Sequence, residues 1–479
     1  MLFPTIDFAI FFGIVFVLNW LLAPFPKRWK IFAIVASYVF YGWFGWSFVF
    51  LLAGSTVVTT LGGKLIYVSQ TRGARRFWMW TTVTLELGLL AWFKYYGFLA
   101  VSVQNALRSV GIDHAPLPLL NVTVPVGVSF FTFMGLSYVI DIYRGNLKPS
   151  HWLDVAVFVC FFPHLAAGPI VRGSELLPQV EVSEQRSPRD IDLPRAAYLI
   201  FGGLFKKIVL SSYISTSIVN PVFANPGLHS GPEALFAVWG YAVQIYCDFS
   251  GYTDIAIGCA LLLGFKFPEN FNSPYTARSL QDFWRRWHMT LSFWLRDYLY
   301  IPLGGSKVDK RWKLYKNLFI TMLLGGLWHG AAWTFVAWGA LHGVGQTFGH
   351  WRRQRRVSAG LPAQREGRWA VAWQRFATFQ FVCLGWVFFR ATSFGNAFDM
   401  LQRMLTGWGL PSPLVTIPVC LTIACGIGTQ FVSHELVLRV QRRFGALKPA
   451  LQGTVLAGAL LVMTTMGPPG VAPFIYFRF

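Results

Sequence analysis

The 479-residue sequence is 54% hydrophobic and 17% aromatic, whereas only 13% of its residues are charged, against about 25% in a typical soluble domain. This composition excludes a disordered chain and argues against an ordinary soluble enzyme. The formal net charge of +21 does not indicate a nucleic-acid partner, because an apolar membrane protein collects Lys and Arg in its cytoplasmic loops.

The apolar segments, taken in chain order, predict helices that cross a lipid bilayer. Residues 2–22 lack a preceding basic residue and a following cleavage site, so they predict a retained helix and not a signal peptide. Further segments, near the roughly 20 residues that a span needs, lie at 31–66 (two helices), 77–93, 122–143, 196–219, 233–264, 317–350, 371–391, 413–434 and 452–472. Residues 155–171 contain Pro163, Gly168 and Pro169 and predict a broken or re-entrant helix.

The predicted fold class is therefore an all-α integral membrane protein. We expect a polytopic helical bundle of about eleven transmembrane spans with re-entrant or broken helices. Residues 1–479 form one polytopic domain in this interpretation, without a separate soluble domain. The six cysteines show neither disulfide nor zinc spacing, and we predict no metal site. We also predict no bound cofactor.

The basic residues predict the orientation of the spans. Basic residues follow the first span and also the third span, where they are Arg72, Arg75 and Arg76. They are frequent again in residues 265–316 and 351–368. The positive-inside rule places these loops in the cytoplasm, and it places the N-terminus and residues 220–232 outside. Because both of its flanks are cytoplasmic, segment 317–350 must enter the membrane and return, and its many glycines suit two tightly packed passes.

Histidine 329 is the first polar candidate at membrane depth. A polar side chain there costs several kcal/mol unless it faces a cavity or a partner. A buried histidine is often only a hydrogen-bonded core residue. His329, however, lies in a glycine-rich break between Trp328 and Gly330, and its own segment holds no acidic partner. We expect His342 to be structural.

A second candidate is the segment 279–305, where aromatic residues alternate with Arg285, Arg286 and other charged residues. This composition predicts an amphipathic helix at the cytoplasmic interface. Such a helix is either a membrane anchor or a surface whose basic side chains and His288 face a phosphate-bearing cytoplasmic ligand.

Two further groups contain acidic residues. Asp248 and Asp254 lie in one predicted span, where they form either a proton or cation relay or a structural feature. In the structural alternative, Asp248 caps a broken helix or pairs with an arginine of the following loop. Asp141 and Arg144, three residues apart, are predicted to form a local ion pair.

Several long segments, in one order, resemble the membrane-bound O-acyltransferases, and within that family the bacterial branch that modifies polysaccharides such as alginate. The segments are PVGVSFFTFMGLSYVIDIYRG, FFPHLAAGPIVRGSELLPQ, IYCDFSGYTDIAIGCALLLGFKFPENFNSPY, DFWRRWHMTLSFWLRDYLYIPLGG, LLGGLWHGAAWTFVAWGALHG and the terminal APFIYFRF. From about residue 350 to 470 the similarity is mainly one of hydropathy.

The resemblance implies that His329 is the family's invariant histidine and that His288 is its second important polar residue. It also implies transfer of an acyl group from a cytoplasmic thioester, with acetyl-CoA as the expected donor, through a tunnel to a hydroxyl group. The chemistry of the residues agrees, because a neutral imidazole can remove the hydroxyl proton. His288, Trp328 and backbone N–H groups remain alternatives for stabilising the oxyanion. Arg285, Arg286 and Trp328 are candidates for donor binding, and Asp248 and Asp254 are candidates for polar groups of the tunnel.

The leading hypothesis is an O-acetyltransferase of the bacterial inner membrane that acts on an exported polysaccharide with periplasmic partner proteins. A first alternative changes the acceptor to peptidoglycan, cellulose or teichoic acid, the last with D-alanine. A second alternative is an ion-coupled transporter that uses Asp248 and Asp254.

Overall fold

Helices form all of the regular structure in the part of the chain that the computed structural model describes, residues 1–112 and 123–467. This confirms the predicted all-α class. The chain divides into two compact units, Met1–Ile191 with Cys259–Pro268, and Asp192–Gly258 with the chain from Glu269 onward. The single polytopic domain stays a prediction.

Several helices of the first unit begin where the sequence supplies a cap or a proline. Thr5 Oγ1 accepts a hydrogen bond from the Phe8 N–H (3.3 Å), and Thr71 Oγ1 accepts one from the Ala74 N–H (3.1 Å). Pro26 lies in a first turn, where its missing N–H needs no partner. The α-helices are α1 (Ile6–Leu22), α2 (Pro26–Gly42), α3 (Trp46–Val68), α4 (Arg72–Leu90), α5 (Tyr96–Ser109), α6 (Val128–Arg144), α7 (Trp152–Cys160), α8 (Phe162–Leu165) and α9 (Gly173–Glu181).

Small residues allow α3, α4 and α6 to pack closely. A Cβ added to Gly62 of α3 would lie 2.2 Å from Thr82 Oγ1 of α4. A Cβ added to Gly135 of α6 would lie 2.5 Å from Thr59 Oγ1 of α3. Such close approach is typical of helix packing in membranes.

The predicted break in residues 155–171 is present. Helix α7 ends at Cys160, the short α8 follows from Phe162, and α9 begins only at Gly173. The chain folds back so tightly that a Cβ on Gly168 would lie 2.4 Å from the Cα of His164. These residues are buried, as expected for irregular backbone at membrane depth.

The second unit contains the longest helices. They are α10 (Leu193–Leu204), α11 (Ser212–Ile214), α12 (Asn220–Ala224), α13 (Gly231–Leu262), α14 (Leu280–Trp284), α15 (Met289–Leu295), α16 (Arg311–His329), α17 (Trp333–Ser358), α18 (Arg368–Arg390), α19 (Phe394–Leu405), α20 (Ile417–Gly428), α21 (His434–Gly445) and α22 (Pro449–Met466). The end of α13, from Cys259, belongs to the first unit. The π-helical turns Phe205–Ser211 and Ser215–Val219 join α10, α11 and α12 into one long helix.

Three helices in the described residues are long and apolar enough to cross a membrane: Trp46–Val68, Leu193–Ala224 and Pro449–Met466. A bent pair, Ile417–Phe431 with His434–Gly445, raises the number to four if its 93° bend lies within one span. The predicted number of about eleven transmembrane spans therefore stays a prediction. The start of segment 122–143, the end of segment 452–472 and the motif APFIYFRF lie outside the described residues.

Helices α16 and α17 form the hairpin predicted for residues 317–350. Their backbones touch at glycines: a Cβ on Gly326 would lie 2.4 Å from the Phe335 carbonyl oxygen, and one on Gly339 would lie 2.7 Å from the Met322 carbonyl oxygen. The glycines therefore serve the tight packing that was predicted for them.

The predicted continuous amphipathic helix over residues 279–305 is wrong. The segment forms α14, a break, α15 and a π-helical turn, Arg296–Tyr300. His288 stands at the break with a left-handed backbone (φ 42°), which a straight helix does not contain. Trp284, Trp287 and Trp294 are buried in the protein, so these indole rings do not form a membrane anchor.

Candidate active site

His329 lies at the C-terminal end of α16, where the chain must turn. A Cβ on Gly330 would lie 2.1 Å from the ring of Phe335, so only glycine fits after the histidine. The His329 imidazole is 2% exposed. Its ring centroid lies 5.0 Å from Trp328, 5.1 Å from Trp338 and 5.3 Å from Phe389. An aromatic cage thus encloses the predicted base.

His288 reaches the same place from the break between α14 and α15. Its ring centroid is 6.4 Å from that of His329 and 5.8 Å from that of Trp328. The ring of Phe249 of α13 also contacts His288, with the centroids 4.7 Å apart. A left-handed backbone costs conformational energy at a non-glycine residue such as His288. These ring distances show that the fold brings together the two histidines that the sequence singled out.

Asn270 determines which nitrogen of His288 carries the proton. Its Oδ1 accepts the Thr290 backbone N–H (3.2 Å) and the Thr290 hydroxyl (2.9 Å), and it lies 3.0 Å from His288 Nδ1. Because a backbone N–H only donates, the Asn270 atom at this position must be the carbonyl oxygen. His288 Nδ1 must then be the donor, and the lone pair of the neutral ring lies on Nε2.

The Nε2 atom of His288 is buried and has no hydrogen-bond partner among the described residues. Burial lowers the pKa of His288 to about 3, so the ring is neutral at physiological pH. His288 lies between α14 and α15, and neither of these helices is long enough to cross a bilayer. The site therefore contains a neutral imidazole whose Nε2 accepts a proton or a hydrogen bond and does not donate one.

The predicted donor-binding residues fall into two groups. The Trp328 indole contacts both histidine rings, and its N–H is a donor only. Arg285 is exposed, and Arg286 is half-buried with its Nε 2.8 Å from Asp282 Oδ1. Trp328 thus belongs to the histidine centre, whereas Arg286 already has a carboxylate partner.

Asp248 and Asp254 of α13 are held by lysines. Lys207 forms a buried ion pair with Asp248. Lys206 forms a half-buried ion pair with Asp254 and also donates to Ser250 Oγ (3.1 Å). Both lysines lie in the π-helical turn Phe205–Ser211, not in the loop after α13 where an arginine partner was expected. A neighbouring lysine ammonium therefore compensates each carboxylate.

His342 lies within α17, thirteen residues after His329 in the sequence, and packs among aromatic rings. Its Nδ1 accepts a hydrogen bond from Trp284 Nε1 (3.3 Å), and its ring is 4.8 Å from Trp338. This contact agrees with a structural role, which stays a prediction.

Sequence reasoning missed Asn270, Trp338 and Phe389. Asn270 lies in the quoted segment that ends in ENFNSPY, but only the fold reveals that this loop meets His288. In the sequence it is an asparagine six residues after the predicted span 233–264, and only the structure shows that it is buried. Trp338 lies nine residues after His329 in the hairpin, so the α16 to α17 turn places it beside the imidazole.

Comparison with known proteins connects this centre to a family. The sequence pattern of the membrane-bound O-acyltransferase family matches residues 35–389, which include both histidines and Asn270. The probable alginate O-acetylase AlgI of Pseudomonas aeruginosa is 39% identical over 376 residues, 78% of this chain and 69% of the relative.

Two other relatives are named for different acceptors. The peptidoglycan O-acetyltransferase of Helicobacter pylori is 35% identical over 415 residues, covering 80% of this chain and 74% of the relative. The teichoic acid D-alanyltransferase of Bacillus subtilis is 30% identical over 287 residues, covering 56% of this chain and 69% of the relative.

Proposed function

The chain belongs to the membrane-bound O-acyltransferase family, and from this we propose that it transfers an acetyl group from cytoplasmic acetyl-CoA to an exported, alginate-like polysaccharide. Family membership itself makes the protein a membrane enzyme that acylates hydroxyl groups. The observation that supports the proposed site is the pair of buried histidines, His329 at the end of α16 and His288 between α14 and α15, with ring centroids 6.4 Å apart.

His329 is the general base in this proposal. It takes the proton of the attacking hydroxyl, which belongs to the polymer or to a periplasmic partner protein, while the hydroxyl oxygen bonds to the thioester carbonyl carbon. The carbon–sulfur bond then breaks, and the departing thiolate takes the proton from His329, which leaves an ester, free CoA thiol and a neutral imidazole. In the transition state, the lone pair on Nε2 of the neutral His288 interacts favourably with the positive charge that develops on His329.

The proton position on His288 narrows the choice of oxyanion donor. An imidazole that is protonated on Nδ1 does not donate from Nε2. The donors left for the oxyanion are the Trp328 indole N–H, beside both histidines, and backbone N–H groups near the glycine break. Arg285 is the more available arginine for donor phosphates, because Asp282 already binds Arg286.

The acceptor and the cellular setting rest on the relatives. The 39% identity to an alginate O-acetylase supports a polysaccharide acceptor. Peptidoglycan is the second candidate, because the Helicobacter pylori relative covers as much of the chain. We place the protein in the bacterial inner membrane with its N-terminus outside, where periplasmic partner proteins complete the transfer to the polymer. The ion-coupled transporter has no support from Asp248 and Asp254, since lysines pair with both.

The experiment is turnover of radiolabelled acetyl-CoA by the purified protein in nanodiscs, with polymannuronate oligomers, peptidoglycan fragments or water as acceptor. We expect His329→Ala to insert and melt normally, to bind acetyl-CoA, and to lose about 10²- to 10⁴-fold in turnover. His342→Ala is the matched control, and we expect it to retain most activity or to reduce protein yield. Turnover of His329→Ala within a few-fold of the parent would refute the base assignment, and selective use of peptidoglycan fragments would replace the alginate-like acceptor.

A further inference from the structure

The arginines at the start of α4 form a basic surface site that the acyl-transfer chemistry does not use. Arg72, Arg75 and Arg76 line a cavity of about 560 Å³ together with Gly73 and Tyr143 at the end of α6. In the described residues none of these three arginines forms an ion pair with a carboxylate. Their positive charge is therefore available to a ligand.

Arg75 forms the fixed base of this cavity. Its Nη2 donates to the Tyr143 carbonyl oxygen (3.0 Å), and its guanidinium lies 5.9 Å from the centroid of the Tyr143 ring. Its Nε is buried without a hydrogen-bond partner in the described residues. Arg72 and Arg76, by contrast, are exposed, so two exposed guanidinium groups accompany an anchored one.

An apolar groove continues from the arginines along the same face of α4. A second cavity of about 580 Å³ shares Gly73 and Arg76 with the first and is lined further by Phe77, Trp80, Thr81, Thr84 and Leu85. These positions recur every three or four residues, so they form one stripe of the helix. Phe77 and Trp80 are 61% and 53% exposed, although both are large aromatic residues.

The dimensions of the stripe match a lipid. At about 1.5 Å per residue, the helix from Arg72 to Leu85 extends roughly 20 Å. One leaflet of hydrocarbon is about 15 Å thick, half of the roughly 30 Å of a bilayer core. The stripe therefore accommodates a headgroup at its arginine end and an acyl chain along the remainder.

We propose that this face of α4 is a binding site for an anionic phospholipid, with the phosphate on Arg72 and Arg76 and one acyl chain in the groove from Phe77 to Leu85. A zwitterionic lipid brings its own ammonium group close to three arginines, which is unfavourable. A soluble nucleotide such as CoA matches the arginines but leaves the apolar groove uncovered. The site is independent of the proposed acetyl transfer.

Native mass spectrometry of the full-length protein, after detergent exchange and titration with phosphatidylglycerol or phosphatidylethanolamine, tests the site. We expect selective retention of one phosphatidylglycerol, with binding about thirty-fold weaker in Arg72→Gln/Arg76→Gln. This equals about 2 kcal/mol, from about 1 kcal/mol per basic residue at an anionic membrane surface. The matched control Lys310→Gln/Arg311→Gln removes the same charge from another exposed segment, and we expect it to bind as the parent does.

A second variant tests the groove without changing the charge. Gly73 borders both cavities and has open space around an added Cβ, so we expect Gly73→Leu to place its side chain in the site. We expect it to lose phosphatidylglycerol while its melting temperature in detergent stays the same. Equal retention of the two lipids, unchanged binding in either site variant, or displacement of the bound lipid by free CoA would each overturn the proposal. None of these readouts depends on acetyl transfer.

Discussion

Replacing Asn270 by leucine removes the acceptor that orients His288. Oδ1 of Asn270 accepts three donors, the His288 Nδ1–H at 3.0 Å and two groups of Thr290 at 2.9 and 3.2 Å. The Thr290 hydroxyl can rotate to another acceptor, but the two N–H groups cannot. At about 1 to 3 kcal/mol for each unsatisfied buried donor, Asn270→Leu should lose about 2 to 6 kcal/mol of stability.

The same change should reduce turnover for a separate reason. Without Asn270, nothing holds the proton of His288 on Nδ1, so its Nε2 no longer presents a lone pair to the charge on His329. In the proposed transition state this lone pair accepts a hydrogen bond from the charged His329, and such a bond contributes about 1.5 to 3 kcal/mol, which corresponds to about a ten- to hundred-fold lower kcat. We expect KM for acetyl-CoA to change less, because the lost interaction forms only as the charge develops.

Two companion variants separate orientation from folding. Asn270→Asp keeps an oxygen acceptor at the same place, and its carboxylate favours the protonated form of His288, so we expect activity that falls on acidification at a higher pH than in the parent. His329 is the titratable ring that faces His288. Thr290→Val removes one donor to the same oxygen and leaves the His288 bond intact.

Radiolabel transfer and thermal unfolding of the same nanodisc preparations provide the assay. We expect Thr290→Val to melt earlier yet retain kcat, whereas Asn270→Leu loses both. The reasoning would be refuted by a folded Asn270→Leu protein whose kcat is within a few-fold of the parent. Equal inactivity of Asn270→Asp and Asn270→Leu would show that an acceptor at this position is not what matters.

Three further predictions concern the surroundings of the site. Arg285→Ala should raise KM for acetyl-CoA more than Arg286→Ala in steady-state kinetics, because Asp282 binds only the second arginine, and an unchanged KM in both would exclude phosphate contacts. Lys207→Met should destabilise the protein by about 3 to 5 kcal/mol in detergent melting, because the buried Asp248 carboxylate loses its lysine partner. Unaltered melting would contradict a structural ion pair. In a cysteine-less background on intact cells, an impermeant thiol reagent should label a cysteine at the exposed Leu228 but not one at Ser306, and the reverse would invert the topology.

The helical elements were predictable because apolar length and glycine spacing are local properties of the sequence. Residues 31–66 form two helices, residues 155–171 are broken, and residues 317–350 form a hairpin, as expected. Segment 279–305 failed because aromatic and basic composition does not encode a left-handed backbone at His288. Its tryptophans were assigned to the membrane interface, but they pack inside the protein.

The site was predictable in its residue types and not in its contacts. His288 and His329 were found from their positions, since each is an ionisable ring within or beside an apolar segment. The bond from Asn270 joins two loops, and no periodicity connects them. Lys206 and Lys207 did carry a signal that was overlooked: a lysine inside an apolar span requires an anion, and two in succession indicate the partners of Asp248 and Asp254.

The glycine seam between α16 and α17 also affects how mutational scans of this protein are read. Main-chain atoms of one helix occupy the space that a side chain at Gly326 or Gly339 would need, so every substitution there should be as damaging as the loss of His329. A scan scored by polymer acetylation alone would therefore wrongly assign the glycines of the seam to the active site. Scoring membrane abundance alongside acetylation separates the two kinds of intolerance, because seam variants lose the protein and His329 variants keep it.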